Sequence, residues 1–196
     1  PAWVFGELAE NARQASAVIM VSALALDFDT GVEISMIDAA VERLGIYALR
    51  YTTFSHNKTQ TLVPLLSWKE FEVELEEHAR AQAYLSQKGK YRSEIAKSAR
   101  YDGQVRNKDG LFVAIAHVPV PRCRLVVPLK APYEPDIYAG DLSKAKSAFS
   151  QITAALASDL GLSEHYDQSA VDLARLNYKP AAAPGAHFGA RLFSGG

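Results

Sequence analysis

The feature that most constrains the fold is the apolar run AVIMVSALALDF over residues 17–28, which stops at Asp27, Asp29, Thr30 and Gly31. A run of this length, rich in Val, Ile and Leu and followed by turn residues, predicts a buried β-strand. It is too short to cross a bilayer, which requires about 20 apolar residues. A buried strand that ends in carboxylates is therefore the starting point of the fold.

A helix and a second strand follow this first strand. Residues 33–45, EISMIDAAVERLG, carry apolar side chains at helical spacing, with Ser35 as a capping residue and Gly45 as a stop. Residues 46–54, IYALRYTTF, are aromatic and β-branched, which favours a returning strand. Together the three segments predict a strand-helix-strand unit.

The rest of the chain predicts further strands and helices. A capping box that begins at Ser67 predicts one long helix ending near Gly89. Residues 111–118 and 122–129 predict two adjoining strands, and Asp141 is expected to cap the helix that follows them. The order strand, helix, strand, long insert, strand, strand, helix, strand predicts an α+β fold. We expect a split βαβ sheet similar to the RNA-recognition motif (RRM-like), with helices packed on one face.

Composition excludes several classes of protein. The chain has 196 residues, of which 48% are hydrophobic, as in ordinary globular domains. The single cysteine, Cys123, cannot form an internal disulfide or a thiolate-rich zinc site, and it predicts a reducing, cytoplasmic environment. The net charge of -1 provides no global attraction to nucleic acid or membranes, so any polyanion site must be local. No signal peptide is expected.

Asp27 and Asp29 are the sharpest candidates for chemistry. Side chains at i and i+2 of a strand point to the same side, so both carboxylates are expected on one face at the end of the strand. Without a cation their repulsion would raise a pKa and destabilise the fold, whereas Mg²⁺ would make the pair a platform for phosphoryl transfer. The alternative is that both aspartates only begin a solvated turn.

Three other segments supply candidate ligands for phosphate or metal. Ser55 and His56 follow the returning strand, where they are expected within reach of a ligand's phosphates. Arg122 and Arg124 share one strand face, as an anion clamp requires. Asp167 is expected to lie beside the first two carboxylates and complete a triad. The alternative interpretations are a surface histidine, a solvated edge strand and a helix with scattered charges.

Residues 88–108 form a basic segment with seven Lys or Arg against two acidic residues. A local excess of cations suits the phosphate backbone of a nucleic acid, although a solvated loop has the same composition. The candidate nucleic-acid ligands are Lys90, Arg92, Lys97, Arg100, Arg175 and Lys179.

Four segments in order, LALDFDTG, TTFSHN, PRCRLVVPL and DQSAVDLARLNYKP, resemble the archaeo-eukaryotic primase superfamily, in particular the primase-polymerases of phages and plasmids. That family has an acidic D-x-D or D-x-E motif, an S-x-H-like motif, an R-x-x-x-P-L-type strand and a D-x-S-x-x-D-x-x-R-like segment. This chain departs from the pattern because its serine lies directly before His56. With one cysteine it also cannot form the zinc-binding stem that many of these primases have.

The resemblance implies a nucleotidyltransferase, a primase or DNA polymerase that acts in DNA replication with Mg²⁺ or Mn²⁺. The implied catalytic metal ligands are Asp27, Asp29 and Asp167, and the implied nucleotide ligands are Ser55, His56 and Arg124. The implied partners are a single-stranded DNA template, nucleoside triphosphates and a helicase domain or protein, with no membrane. Residues 1–180 would be the primase-polymerase catalytic domain, residues 60–110 an insertion in it, and residues 181–196 a small-residue tail or linker.

Two other functions stay open. LDFDTG also resembles the nucleophile motif of haloacid-dehalogenase-type phosphatases, although that motif requires Thr or Val where this chain has Gly31. The late acidic motif of those enzymes is not matched after Asp141 either. The second alternative is a non-catalytic replication-initiator module that binds DNA through its sheet and basic segment. Metal binding at Asp27 and Asp29 would distinguish a polymerase from that module.

Overall fold

The strand predicted from residues 17–28 is present as an 11-residue strand of the main sheet. A computed structural model describes residues 2–9, 14–71, 74–175, 177–178, 180–181 and 188–195. Over these residues the fold is α+β, as predicted, with two main antiparallel sheets and five helices. The strands are β1 (Ala2–Trp3), β2 (Gly6–Leu8), β3 (Val18–Phe28), β4 (Tyr47–Thr52), β5 (Lys58–Pro64), β6 (Arg100–Asn107), β7 (Gly110–Val120), β8 (Cys123–Tyr133), β9 (Asn177–Tyr178) and β10 (Ala190–Ser194). The helices are α1 (Ile34–Leu44), α2 (Leu65–Glu70), α3 (Glu77–Gln87), α4 (Ser93–Ser98) and α5 (Leu142–Asp159).

The first sheet has the order β10-β4-β8-β3-β2, with β8 antiparallel to both β3 and β4. One face of this sheet is covered by α1 and α5. Leu26 and Phe28 point to that face, where they join the core cluster that contains Ile37 of α1 and Ala157 of α5. The alternation of side chains along β3 therefore sends Asp27 to the opposite face, which α1 and α5 leave open. This alternation positions the candidate site.

Several local predictions for the first sheet are confirmed. Gly45 ends α1 in the left-handed conformation at φ 62°, where glycine is favoured. Asp141 caps α5, because its Oδ1 accepts a hydrogen bond of 3.0 Å from the Lys144 backbone N–H. Cys123 is 1% exposed, and burial raises the pKa of its thiol to about 12. The prediction of a cap at Ser35 is wrong, since Glu33 occupies the N-cap position and Ser35 lies inside α1.

The second sheet has the order β5-β7-β6 and is packed against α2, α3 and α4 through Trp68, Leu85 and Ile115. Neither β5 nor β6 was expected from the sequence. The prediction that the segments 111–118 and 122–129 form adjoining strands is also wrong. Both are strands, but β7 belongs to the second sheet and β8 to the first. The two sides of β8 are already occupied by β3 and β4, so the short connection between β7 and β8 carries the chain from one sheet to the other.

The single long helix predicted from Ser67 onward is also wrong, because α2 ends at Glu70 and α3 begins at Glu77. Phe71 leaves the helical conformation, with ψ at 80°, and its ring packs edge-on against Tyr84 at 5.2 Å between centroids. The Phe71 carbonyl accepts a hydrogen bond of 2.7 Å from Arg80 of α3. Burial of this aromatic ring against α3 outweighs the local helical signal.

Part of the segment predicted as a tail or linker, residues 181–196, forms a strand. Residues 190–194 form β10, which pairs antiparallel with β4. Arg191 of β10 binds Asp38 at 3.2 Å and Glu42 at 2.5 Å, both on α1. Phe193 is 6% exposed and joins the core beneath the sheet. In the described residues, no helix has the length and apolar character that crossing a membrane requires.

Two neighbouring substitutions test whether β10 is an integral part of the fold. We expect Phe193→Ala to lower the free energy of unfolding by about 3 kcal/mol, because it leaves a cavity in the core. Leu192→Ala is the matched control, since Leu192 is 78% exposed and its loss should change stability by less than about 0.5 kcal/mol. Urea unfolding followed by circular dichroism measures both values. Equal stabilities for the two variants would contradict the placement of β10.

Candidate active site

Three polar side chains form a row across the open face of the first sheet. Asp27 of β3 is the register partner of Arg124 of β8, and Arg124 is the register partner of Tyr51 of β4. Side chains that are directly opposite on adjacent strands lie within contact distance. The Tyr51 hydroxyl is accordingly 3.4 Å from Nη1 of Arg124. Strand register alone therefore brings Arg124 to the first predicted carboxylate.

The Asp27 carboxylate is 5% exposed and is bound by two arginines. Arg124 donates from Nε to Oδ1 at 2.5 Å and from Nη2 to Oδ2 at 2.9 Å, a bidentate arrangement. Arg175 donates from Nη2 to Oδ2 at 3.3 Å. Burial by itself lowers the pKa of Arg124, but the hydrogen bond and negative charge of Asp27 outweigh it and raise that pKa. Arg124 is therefore held as a charged guanidinium against the Asp27 carboxylate.

Asp29 and Asp167 lie beside this pair. The Asp167 backbone N–H donates a hydrogen bond of 2.8 Å to the Asp27 carbonyl, which brings the distant segment to the end of β3. Oδ1 of Asp167 accepts hydrogen bonds from the backbone N–H and the hydroxyl of Ser169 at 2.9 and 2.6 Å. Burial raises the pKa of Asp29 above 3.8, and the charges of Asp27 and Asp167 raise it further, while Arg122 and Arg124 oppose the shift. Three carboxylates predicted from two distant segments are thus close enough to influence one another.

These groups line a cavity of about 530 Å³. Its lining residues are Asp27, Asp29, Tyr51, Thr53, Phe54, Ser55, Arg122, Arg124, Arg175 and Ala181. Two polar atoms on its wall, Nε of Arg122 and Oγ1 of Thr53, are buried without a hydrogen-bond partner among the described residues. A buried donor without a partner destabilises the fold unless something else satisfies it. Both atoms are shielded from solvent, so the donors that the cavity presents are those of its accessible side chains.

His56 lies behind this wall and is 9% exposed. Its Nδ1 is 3.0 Å from the Arg122 backbone N–H, which donates to it, and 3.2 Å from the Arg122 carbonyl. Ser55, its neighbour in the turn between β4 and β5, lines the cavity itself. The structure therefore places Ser55 at the cavity and His56 against the backbone that carries Arg122.

The predicted nucleic-acid ligands are not all at the cavity. Arg175 lines it, whereas Lys90 is exposed on the loop after α3. Arg92 is 3.9 Å from Glu94, and Lys97 and Arg100 are exposed on α4 and β6. Lys179 lies outside the described residues.

The carboxylates differ in how well they suit a divalent cation. Both oxygens of Asp27 accept hydrogen bonds from arginines, so this carboxylate already has its counter-charge. Asp29 is partly buried beside two other carboxylates, a setting that favours a cation. Asp167, whose charge also acts on Asp29, is the other predicted metal ligand that could share a cation with it. In the described part of the chain, no group of three or more His, Cys, Asp or Glu is arranged to hold a metal ion.

The sequence analysis placed Arg122 on the same face as Arg124 but assigned only Arg124 to the nucleotide. Arg122 lines the cavity, and its Nη2 donates a hydrogen bond of 2.5 Å to the Tyr91 hydroxyl. Arg122 lies two residues before Arg124, and side chains at this spacing share one face of a strand, so this spacing indicated that both arginines reach the site. No sequence signal pointed to Tyr91. It lies in the loop between α3 and α4, and only tertiary packing brings it to the site.

Comparison of the chain with protein-family models, with curated proteins and with solved structures finds no match. The function must therefore be argued from the geometry of the site.

The two aspartates at the end of β3 should respond in opposite ways to removal of their charge. Asp29 has a raised pKa, so its ionisation disfavours the folded state above pH 3.8, its ordinary pKa. We expect Asp29→Asn to raise the melting temperature at pH 7 in a metal chelator, and the gain to disappear as the pH falls below 3.8. Asp27→Asn should instead lower the free energy of unfolding by about 3 kcal/mol, because Arg124 loses its buried counter-charge.

Thermal unfolding of both variants between acidic and neutral pH measures this contrast. A lower melting temperature for Asp29→Asn at pH 7 would show that its carboxylate is stabilised by a partner. An unchanged stability for Asp27→Asn would show that the pair with Arg124 contributes nothing to the fold.

Proposed function

We propose that this chain is the catalytic core of a DNA-dependent primase or primase-polymerase that joins nucleotides in plasmid or phage replication. The observation that carries the proposal is the cavity itself. The four segments that resemble the primase superfamily are far apart in the sequence, and each contributes residues to this cavity or to its rim. Carboxylates and arginines in one cavity are what nucleotidyl transfer requires, because the reaction involves a metal ion and a highly charged anion.

The arginines are the groups that would bind the triphosphate of an incoming nucleotide. Arg122, Arg124 and Arg175 all line the cavity, and guanidinium groups bind phosphate oxygens in a bidentate manner. Thr53 and Arg122 both line the cavity, but Oγ1 of Thr53 and Nε of Arg122 are shielded from it, so Arg122 would bind the anion through its terminal nitrogens. Ser55 also lines the cavity. His56 does not line the cavity, so in the proposal it acts through Arg122, whose backbone N–H donates to its Nδ1, and its predicted contact with the triphosphate stays a prediction.

An aromatic side chain next to these cations suits the base of the nucleotide. Phe54 lines the cavity and is 54% exposed, so its ring is accessible to a ligand. Stacking of a base on such a ring stabilises binding by about 1–3 kcal/mol and tolerates any base. Template pairing, and not the protein, would then choose the nucleotide.

Asp29 and Asp167 are the residues that would hold a divalent cation, Mg²⁺ or Mn²⁺. When bound, the cation would neutralise phosphate charge and favour ionisation of the attacking hydroxyl. Asp27 keeps Arg124 in place, and its predicted role as a metal ligand would require the 3.3 Å contact with Arg175 to open. The 3′-hydroxyl oxygen forms a bond to the α-phosphorus and gives its proton to solvent. The bond from that phosphorus to the bridging oxygen breaks, and pyrophosphate leaves with the electron pair.

We also propose that the first sheet is a variant of the RRM-like fold expected for this family. The arrangement of β3, α1, β4, β8 and α5 supports this assignment, because β8 lies between two parallel strands joined by a helix. The position beside β3 is occupied by β2, which comes from the beginning of the chain. A helicase domain or protein and a single-stranded template would be the partners of this core.

The alternative functions have less support in the geometry. A haloacid-dehalogenase-type phosphatase needs a free aspartate as the nucleophile, whereas both oxygens of Asp27 are bound by arginines. A replication-initiator module without catalysis would not need three carboxylates next to the anion cavity. That module remains the outcome to expect if the chain binds DNA without transferring nucleotides.

Three aspartate variants test the proposal. We expect Asp29→Asn and Asp167→Asn to lower the single-turnover rate of primer extension roughly a hundredfold or more, because a cation ligand is worth several kcal/mol in the transition state. Asp172→Asn is the matched control from the same segment, since its Oδ1 accepts a hydrogen bond only from the Ala174 backbone among the described residues. It should retain measurable turnover.

The assay uses a primed single-stranded template, labelled nucleotides and Mn²⁺ or Mg²⁺, and a parallel reaction without primer tests de novo synthesis. Extension by Asp29→Asn at the wild-type rate would contradict the proposal. Loss of activity in Asp172→Asn together with full activity in Asp167→Asn would reverse the assignment of the third carboxylate.

A further inference from the structure

A second cavity lies beside the first. It has a volume of about 770 Å³ and is formed by the loop after α3 and the segment that precedes and includes the 168–170 turn. Its lining residues are Asp29, Thr30, Lys88, Gly89, Lys90, Tyr91, Arg122, Ser163, Glu164, His165, Tyr166, Asp167, Gln168 and Ser169. Nothing in the proposed function so far uses this cavity.

Asp29 and Arg122 line both cavities. They form the partition between them, so a ligand in each cavity would meet the other at the Asp29 carboxylate. Nucleotidyl transfer needs two substrates that approach each other at a metal-binding carboxylate. If the proposed function holds, on which this inference rests, one cavity takes the triphosphate and the other takes the strand that carries the attacking hydroxyl.

The cations of the two cavities decide which substrate belongs where. The first cavity presents three guanidinium groups to one small volume, which suits a compact anion with several charges. The second presents Lys88 and Lys90, two exposed ammonium groups on one loop, which suit the singly charged phosphates spaced along a strand. The opposite wall adds the uncharged side chains of Ser163 and Gln168 and the carboxylates of Glu164 and Asp167, so the phosphates of a strand would lie on the lysine side of the cavity.

The loop that carries the two lysines is held in place. The Gly89 and Tyr91 N–H groups donate to the carbonyls of Tyr84 and Leu85, both at 3.0 Å. A Cβ atom on Gly89 would lie 2.7 Å from the Tyr91 ring, so only glycine permits this approach. At its other end, the Arg92 N–H donates a hydrogen bond of 3.1 Å to the Thr30 carbonyl, directly after Asp29.

Tyr91 joins this loop to the partition. Its hydroxyl accepts the 2.5 Å hydrogen bond from Arg122 and lies 3.1 Å from Oγ1 of Thr61 in β5. The same side chain therefore belongs to the wall of the second cavity and positions the arginine that both cavities share. A strand bound against the loop would be placed directly beside the triphosphate site.

We propose that the second cavity binds the 3′-terminal segment of the DNA strand to be extended. Lys88 and Lys90 contact its phosphates, and its terminal 3′-hydroxyl lies at Asp29. The template strand is not assigned to this cavity. Lys97 and Arg100 are exposed and line neither of these two cavities. Their predicted contact with nucleic acid would therefore be with a part of the DNA outside both cavities.

Binding of a fluorescent single-stranded oligodeoxynucleotide of known 3′ end, measured by anisotropy without nucleotides, tests the inference independently of activity. The test variant is Lys88→Gln with Lys90→Gln, which keeps the length of both side chains. The matched control is Lys144→Gln with Lys146→Gln, two exposed residues of α5 on the other face of the sheet. The control removes the same charge.

We expect the test variant to weaken binding and to make the slope of log K against log salt concentration shallower by about 1.4, or about 0.7 for each of two phosphate contacts. The control should leave the slope unchanged. Binding of nucleoside triphosphate should be the same in both variants. A bulky group on the 3′ end of the oligonucleotide should weaken wild-type binding, and the same group on the 5′ end should not.

Equal salt slopes for the test and control variants would overturn the inference, and so would equal wild-type affinity for the blocked and unblocked 3′ ends. Neither result bears on the proposed function, which the primer-extension assay tests. Lysine-dependent binding of the 3′ end by a protein that extends no primer would support the cavity assignment and reject the polymerase.

Discussion

The site depends on the pairing of Asp27 with Arg124. A buried carboxylate near the end of a strand is strongly destabilising unless a cation compensates it, and removal of one partner of such a pair leaves the other uncompensated. The register of β3 against β8 brings that cation opposite Asp27. Asp27 then also binds Arg175 through its side chain and Asp167 through its carbonyl oxygen. One residue thereby joins three segments that are distant in the sequence.

The second sheet makes a different contribution to the same place. Its core of Val63, Trp68 and Ile115 contains no residue of the cavity. Its edge nevertheless reaches the site, because Tyr91 accepts a hydrogen bond from the guanidinium of Arg122 and the Tyr91 hydroxyl is itself bound to Thr61. Residues 60–110, predicted as an insertion, therefore supply β5, β6 and three helices to one sheet and also complete the partition between two cavities. In the proposed reaction, that partition is where the two substrates meet.

Charge in the site is divided between groups that are already balanced and groups that are not. Asp27 and Arg124 neutralise each other, so binding of a phosphate by Arg124 would use the guanidinium donors that Asp27 leaves free. Asp29 has a raised pKa, and Arg122 of the same cavity binds the Tyr91 hydroxyl and has no carboxylate partner among the described residues. Such unbalanced groups are the ones that a cation and an anion would satisfy together. A metal-bound nucleotide carries both.

The sequence by itself determined the local features of this protein. The apolar run of β3, the period-two placement of Asp27 and Asp29, the glycine that ends α1 and the cap of α5 at Asp141 all depend on neighbours within a few residues. Such patterns predict local structure from the sequence because the backbone geometry of a strand or a helix end is the same in every fold. The α+β class followed from their order.

Only the tertiary structure decided which segments meet. Local pattern cannot show that β7 and β8 belong to different sheets, because both are ordinary strands and the choice depends on partners elsewhere in the chain. The break of the predicted long helix at Phe71 has the same cause, since burial of its ring against Tyr84 outweighs helix propensity. The pairing of Asp27 with Arg124 and the contact of Tyr91 with Arg122 are likewise set by strand register and sheet packing, which act over separations of 97 and 31 residues.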